Sequence, residues 1–205
     1  MTTEIAEPVK ALRNGVAIRK PALDDANRMW TFVCANPPLE RNTCYAYHLL
    51  CDHFSETCAI AEDAREMVGM VTAYRPPTRP ECLFIWQIAV TKRSRGIGIA
   101  HAMITHLLDR AATHPPAFLE ATVGKNNDVS RRLFQGFARK LNVSCVERVL
   151  YPGESFGSDK HDDEILLRIG PLPASEMTSG RSDNGASHKQ ELPACPMNNR
   201  VGLAP

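Results

Sequence analysis

The chain has 205 residues, enough for one domain with a sizeable core and short for two. Hydrophobic residues make up 43%, charged residues 23%, and the formal net charge is +1, so nothing in the composition argues for nucleic-acid binding and any cationic site must be local. No apolar run approaches the roughly 20 residues that cross a bilayer, and the opening "MTTEIAEPVKALRNG" lacks the apolar centre of a signal peptide.

Residues 1–15 read as a flexible tail. "VAIRK" is a short strand stopped by Pro21, and "DDANRMWTFV" follows with acidic residues in its first turn, as suits a helix start. Pro37 and Pro38 end that helix, and "CYAYHLLCDHF" reads as a second one. "TCAIAE" and "MVGMVTAYR" form a hairpin. "PPTRP" is a loop, and the nearly all-apolar "CLFIWQIAV" is a central strand covered on both faces. The next helix puts Ile99, Ala100, Met103, Ile104, Leu107, Leu108 and Ala111 on one stripe at the 3.6 period. "AFLEATV" is a strand, and "NDVSRRLFQGFARKL" a helix capped by Asn127 or Asp128. "SCVERVL" and "EILLRIG" are closing strands. Residues 16–170 are thus one α/β mixed-sheet domain, and the Pro-, Ser- and Asn-rich residues 171–205 read as a disordered tail. The seven cysteines form no C-x-x-C pair and the histidines have no metal-ligand spacing, so free thiols in a reducing cytoplasm are expected, with no metal.

"TKRSRGIGIAHAM", residues 91–103, joins the central strand to the striped helix through two glycines. Such a turn leaves backbone N–H groups unpaired at the helix start, where the dipole favours an anion such as phosphate. Gly96 and Gly98 permit unusual dihedrals and a close approach of ligand to backbone. Lys92, Arg93 and Arg95 add local positive charge. A triphosphate-binding loop requires a Lys-Ser/Thr pair that is lacking here, and a dinucleotide fingerprint requires a small residue where His101 stands.

The remaining pattern, R-x-x-G-x-[GA], is satisfied by Arg95, Gly98 and Ala100 and resembles the pyrophosphate-binding segment of the Gcn5-related N-acetyltransferases (GNAT). "NDVSRRLFQGFARK" is similar to the next motif of that family, with tighter spacing to Gly136-Phe137. The resemblance implies a mixed, mostly antiparallel central sheet flanked by helices, with two central strands splayed apart. It implies acetyl-CoA as cosubstrate, its pyrophosphate on the Arg95–Ala100 turn and its pantetheine arm along the backbone of Ile88 and Val90, with Asn127 as a further hydrogen-bonding partner.

Acetyl transfer from a thioester to an amine requires a neutral amine, donors aimed at the developing oxyanion, and an in-line approach. By resemblance, the N–H of Ile88 serves the oxyanion. Many relatives donate a proton from a Tyr in the helix after the Asn, but Phe134 stands there in this chain, leaving Tyr45, Tyr47, Tyr74 or water. Glu120 is the expected general base, with a structural carboxylate as the alternative.

The strings "YHLLCDHFSETCAIAE", "GMVTAYRPPTRPECLFIWQIAV" and "FLEATVGKNNDVSRRLF" resemble, within that superfamily, the diaminobutyrate acetyltransferase family of ectoine synthesis. This implies transfer of acetyl to the 4-amino group of L-2,4-diaminobutyrate, giving a product that a separate synthase cyclises. The implied substrate contacts are Glu40 and Asn42 in a lid over residues 38–54, Trp86 as a pocket wall, and His161 with Asp162. Glu40 and Asn42 would hold the 2-amino and carboxylate end. A homodimer, joined through the two C-terminal strands, is expected on the same ground. The alternatives are an acetyltransferase for another small amine, or an acyl-CoA sensor that retained only the turn.

Overall fold

The structure, a computed structural model, describes residues 10–12, 15–37, 39–157 and 161–173. The expected C-terminal tail from 174 onward and the first nine residues lie outside them. In chain order the elements are β1 (Lys10–Ala11), β2 (Ala17–Arg19), α1 (Ala26–Ala35), α2 (Cys44–His53), β3 (Ala59–Asp63), β4 (Glu66–Tyr74), β5 (Cys82–Val90), α3 (Ile99–Arg110), β6 (Phe118–Gly124), α4 (Asp128–Leu141), β7 (Cys145–Tyr151) and β8 (Glu164–Ile169). Among the described residues the strands make one sheet in the order β1-β2-β3-β4-β5-β6-β8-β7. Neighbours run antiparallel except β5 and β6, which are parallel. This is the mixed sheet expected of the GNAT fold. Strand β1 is an addition: it falls within the expected N-terminal tail, where Lys10 and Ala11 pair with Ile18 and Ala17.

Each face of the sheet has its own apolar cover. On one, the α3 stripe of Ile99, Met103, Ile104 and Leu107, with Phe134 and Phe137 of α4, packs on Val71, Ala73, Leu83, Ile85, Leu119 and Ala121. The 3.6-residue period of α3 and the two-residue period of the strands bring these side chains together. On the other face, Met29, Phe32 and Val33 of α1 and Tyr47 and Leu50 of α2 cover Ile60 and Met70. Burying one such side chain contributes about 1.5–3 kcal/mol.

A charged network fixes the entry to α1. Asp25 accepts from Arg19 at 2.7 and 3.0 Å, from Arg28 at 2.6 Å and from the N–H of Ala22 at 2.9 Å. Glu62 of β3 accepts from the same two arginines at 2.9 and 2.7 Å. Strands β2 and β3 are thereby clamped to the start of the helix.

Candidate active site

Strand β5 pairs with β6 only from Cys82↔Phe118 to Ile85↔Ala121, although β5 continues to Val90 and β6 to Gly124. Beyond that point the two strands separate, which opens a seam in the middle of the sheet. On its other edge β5 stays paired to β4, but the register steps from Ala73↔Ile85 to Thr72↔Gln87 and skips Trp86. This bulge sits where the seam begins, and bulges turn the strand and re-aim a side chain. Trp86 is accordingly 41% exposed, so the expectation that β5 is covered on both faces holds only from Cys82 to Ile85.

The free edge of β5 faces a cleft of about 490 Å³ between the α1–α2 connection, the glycine turn and the starts of α3 and α4. Ile88, Val90, Arg95, Gly96, Gly98, Ala100 and Asn127, the seven residues expected to meet the cosubstrate, all line it. Gly96 and Gly98 have φ of +83° and +88°, and no heavy atom lies within 4 Å of where a Cβ would stand, so the demand for glycine is one of dihedral angle. The N–H groups of Ile99, Ala100 and His101 open the helix and have no intrahelical acceptor. Arg95 steadies the turn by donating from Nε to the Val90 carbonyl at 3.1 Å. Arg93 is drawn away into an ion pair with Glu66. His101 also lines the cleft; burial, with Lys140 adding to it, pushes its imidazole below the usual histidine range. Asn127 caps α4, its Oδ1 accepting from the N–H of Ser130 at 3.1 Å, which leaves the Nδ2 donors for a ligand carbonyl.

A second, smaller cleft of about 90 Å³ shares Leu39, Ile88, Asn127 and Ser130 with the first and continues through the seam to Ile85, Trp86, Thr122 and Phe134. Phe134 is buried there, so an apolar ring occupies the place of the proton-donating Tyr. The segment expected to serve as a lid reaches this throat through Leu39, which lines both clefts. Tyr47, fully buried on α2, donates its hydroxyl to Gln87 Oε1 at 2.9 Å, and Gln87 Nε2 donates to the carbonyl of Glu40 at 2.9 Å. Burial pushes the Tyr47 phenol up, against the lowering influence of Asn42 and Gln87 as hydrogen-bonding neighbours. Glu40 and Asn42 therefore stand beside the throat through this network, and their side chains line neither cleft. The ring of Tyr74 packs against Phe54 and Phe84, and Tyr45 is 69% exposed.

The expectation for Glu120 requires correction. Its side chain is wholly buried and lines neither cleft, because it is held between two guanidiniums. Arg79 Nη1 reaches its oxygens at 3.0 and 2.7 Å, and Arg168 Nη1 reaches Oε1 at 2.6 Å. The carboxylate thus faces the two guanidiniums and stands away from both clefts. His161 stacks on Phe156 at 4.0 Å between ring centroids, with Nδ1 2.7 Å from the Asp162 carbonyl, and Asp162 accepts from Asn126 at 3.3 Å. Both lie at the Gly124 end of β6, outside the two clefts. Sequence reasoning missed Gln87, Leu39, Ser130 and His101; the lone amide within "CLFIWQIAV" was the available signal for Gln87. Among the described residues no group of three or more His, Cys, Asp or Glu gathers as a metal site, and no helix is long and apolar enough to cross a membrane.

Residues 23–137 match the family described as acetyltransferase (GNAT) family. The chain is 42% identical over 169 residues to the L-2,4-diaminobutyric acid acetyltransferase of Bordetella parapertussis, covering 82% of this chain and 90% of that protein. It is 36% identical over 165 residues to the enzyme of the same name from Halalkalibacterium halodurans, covering 80% and 87%. Among solved structures, it resembles the diaminobutyrate acetyltransferase EctA of Paenibacillus lautus in complex with its substrate L-2,4-diaminobutyric acid and coenzyme A. The TM-score is 0.73 and the identity 39%, over 80% of this chain and 96% of that one.

Proposed function

The chain belongs to the acetyltransferase (GNAT) family, and from that premise we propose that it transfers acetyl from acetyl-CoA to the 4-amino group of L-2,4-diaminobutyrate, the acetylation step of ectoine synthesis. The observation that carries this reading is the seam: a strand edge without a partner among the described residues, flanked by the glycine turn, with all seven expected cosubstrate residues along one cleft.

The residues divide the work as follows. The N–H groups at Ile99 to His101, the helix dipole and Arg95 receive the pyrophosphate. The pantetheine amides extend along Ile88 and Val90 in place of the missing strand, with Asn127 Nδ2 donating to a carbonyl. The thioester then reaches the throat, where the N–H of Ile88 meets the carbonyl oxygen as negative charge develops on it. The attacking amine must be neutral, and an alkylammonium with a pKa of about 10 must first lose a proton. With Glu120 engaged by arginines, that proton leaves to water on the open acceptor side. The N4–C bond forms as the C–S bond breaks, and the proton that N4 sheds in becoming an amide passes through water to the coenzyme A thiolate. Trp86 walls the acceptor side, Glu40 and Asn42 approach the 2-amino group from beside the throat, and Asp162 with His161 lies outside the clefts at the Gly124 end of β6.

The reading extends to a homodimer in the cytoplasm. Exposed Val146, Val149 and Tyr151 on edge strand β7 support the first, and the six free thiols among the described residues support the second. Purified protein mixed with acetyl-CoA and L-2,4-diaminobutyrate, followed by NMR, tests the main assignment. Acetyl on N4 is the expected product; release of no coenzyme A, or acetyl on N2, overturns it.

A further inference from the structure

Beside the seam, one row of the sheet carries an unusual charge arrangement. Phe84 of β5, Glu120 of β6 and Arg168 of β8 lie in register across three strands and share the face opposite α3 and α4. The buried Glu120 carboxylate is bonded by two guanidiniums, one from Arg168 and one from Arg79 in the loop before β5. Two cations on one anion leave a net positive charge. Each guanidinium meets Glu120 through Nη1 alone, so among the described residues Nε and Nη2 remain as donors on both. The arginine side chains are 34% and 32% exposed while Glu120 is 0% exposed, so the surplus charge is presented outward. Arg168 is fixed further by stacking 3.8 Å over the Phe118 ring. Two oriented forks of this kind match a carboxylate.

The position fits a substrate group. Glu120 is two residues from Thr122, which lines the throat, a strand step of about 7 Å. On the same face of β8, four residues from Arg168, stands Glu164, paired in register with Gly124 and close to Asp162 in sequence. The acceptor side is thus basic at one end and acidic at the other, with the throat between them. A small amino acid carrying a carboxylate at one end and an amine three carbons away meets both needs.

We infer that Arg79 and Arg168, gathered on Glu120, form the dock for the acceptor's carboxylate and set which amine reaches the seam. Glu120 is then a positioning residue that holds the two forks. This rests on the acetyl-transfer reading above. It differs from the sequence-based expectation in giving the carboxylate to the arginines and leaving only the 2-amino group to Glu40 and Asn42.

The test compares L-2,4-diaminobutyrate with 1,3-diaminopropane, the same chain without its carboxylate, in the wild type and in Arg79→Gln, Arg168→Gln and Arg168→Lys. The wild type should prefer diaminobutyrate by at least about tenfold in kcat/KM, the effect of a paired charge worth roughly 1.4 kcal/mol. Each glutamine variant should raise KM for diaminobutyrate at least about tenfold, while kcat/KM for diaminopropane and calorimetric affinity for acetyl-CoA stay within about twofold. Arg168→Lys should recover part of the loss. Unchanged acetyl-CoA affinity certifies the fold of each variant, and a variant that fails this check is replaced by Arg79→Lys. Equal losses on both amines, or an unchanged KM for diaminobutyrate, overturns the dock. A wild type inactive on diaminobutyrate overturns the underlying reading instead.

Discussion

The Tyr47 hydroxyl and Gln87 Oε1 meet at 2.9 Å, and this bond ties helix α2 to β5 one residue past the bulged Trp86. Because both side chains are buried, removing one partner strands the other. Tyr47→Phe should cost about 1–2 kcal/mol in urea denaturation. A double-mutant cycle with Gln87→Leu should give a coupling of at least about 0.5 kcal/mol. Strictly additive losses would mean that the lid is not tethered through this pair.

Gly98→Ala places a side chain at φ +88° with open space around it, so the cost is conformational, about 1–2 kcal/mol. The expected result is about a tenfold loss of acetyl-CoA affinity by calorimetry, with an acceptor KM near that of the wild type. Wild-type affinity would show that the ligand does not depend on this backbone geometry.

Glu120→Gln breaks a buried ion pair whose loss ordinarily costs about 3–5 kcal/mol. With both arginines a third exposed, solvent screening brings the expected loss to or just below the bottom of that range, about 2–3 kcal/mol. The acidic limb of kcat/KM should keep its midpoint in this variant. Disappearance of that limb would restore Glu120 as the general base.

The clamp at the start of α1 makes a pH prediction. Burial alone would raise the Asp25 carboxyl, but hydrogen bonds from Arg19, the Ala22 N–H and Arg28 outweigh it and hold the group below its ordinary value; Glu62 is lowered in the same way by the two arginines. A depressed carboxylate contributes fully above its unfolded value, about pH 4, and its contribution is lost as pH falls through the folded value. The wild type should therefore lose Tm steeply below about pH 4, and Asp25→Asn should be less stable at pH 7 with a shallower acid slope. Parallel curves for the two proteins would discount the clamp.

Much of this was legible along the chain because local signals agree with tertiary ones. Strand β5 begins at Cys82 and ends at Val90 as its apolar run does, since Pro80 and the glycines bracket it, and Asn127 caps α4 as its position before an amphipathic run requires. The bulge was not legible, because skipping Trp86 depends on the register of β4 and no local property of "FIWQ" encodes it. The setting of Glu120 was hidden for a related reason. Its partners lie 41 and 48 residues away, and only the assembled sheet brings two arginines over one carboxylate.

Four paired positions, from Cys82 to Ile85 against Phe118 to Ala121, make the ladder between the half-sheet ending in β5 and the half-sheet beginning with β6, and the bond from Arg79 to Glu120 and the α3–α4 core brace it. On the proposed reading, amides from Trp86 to Val90 that β4 does not bind should exchange readily with solvent deuterium in the empty protein and should become shielded when acetyl-CoA is added. Binding would then complete the sheet, and cosubstrate occupancy and amide protection along β5 should rise together.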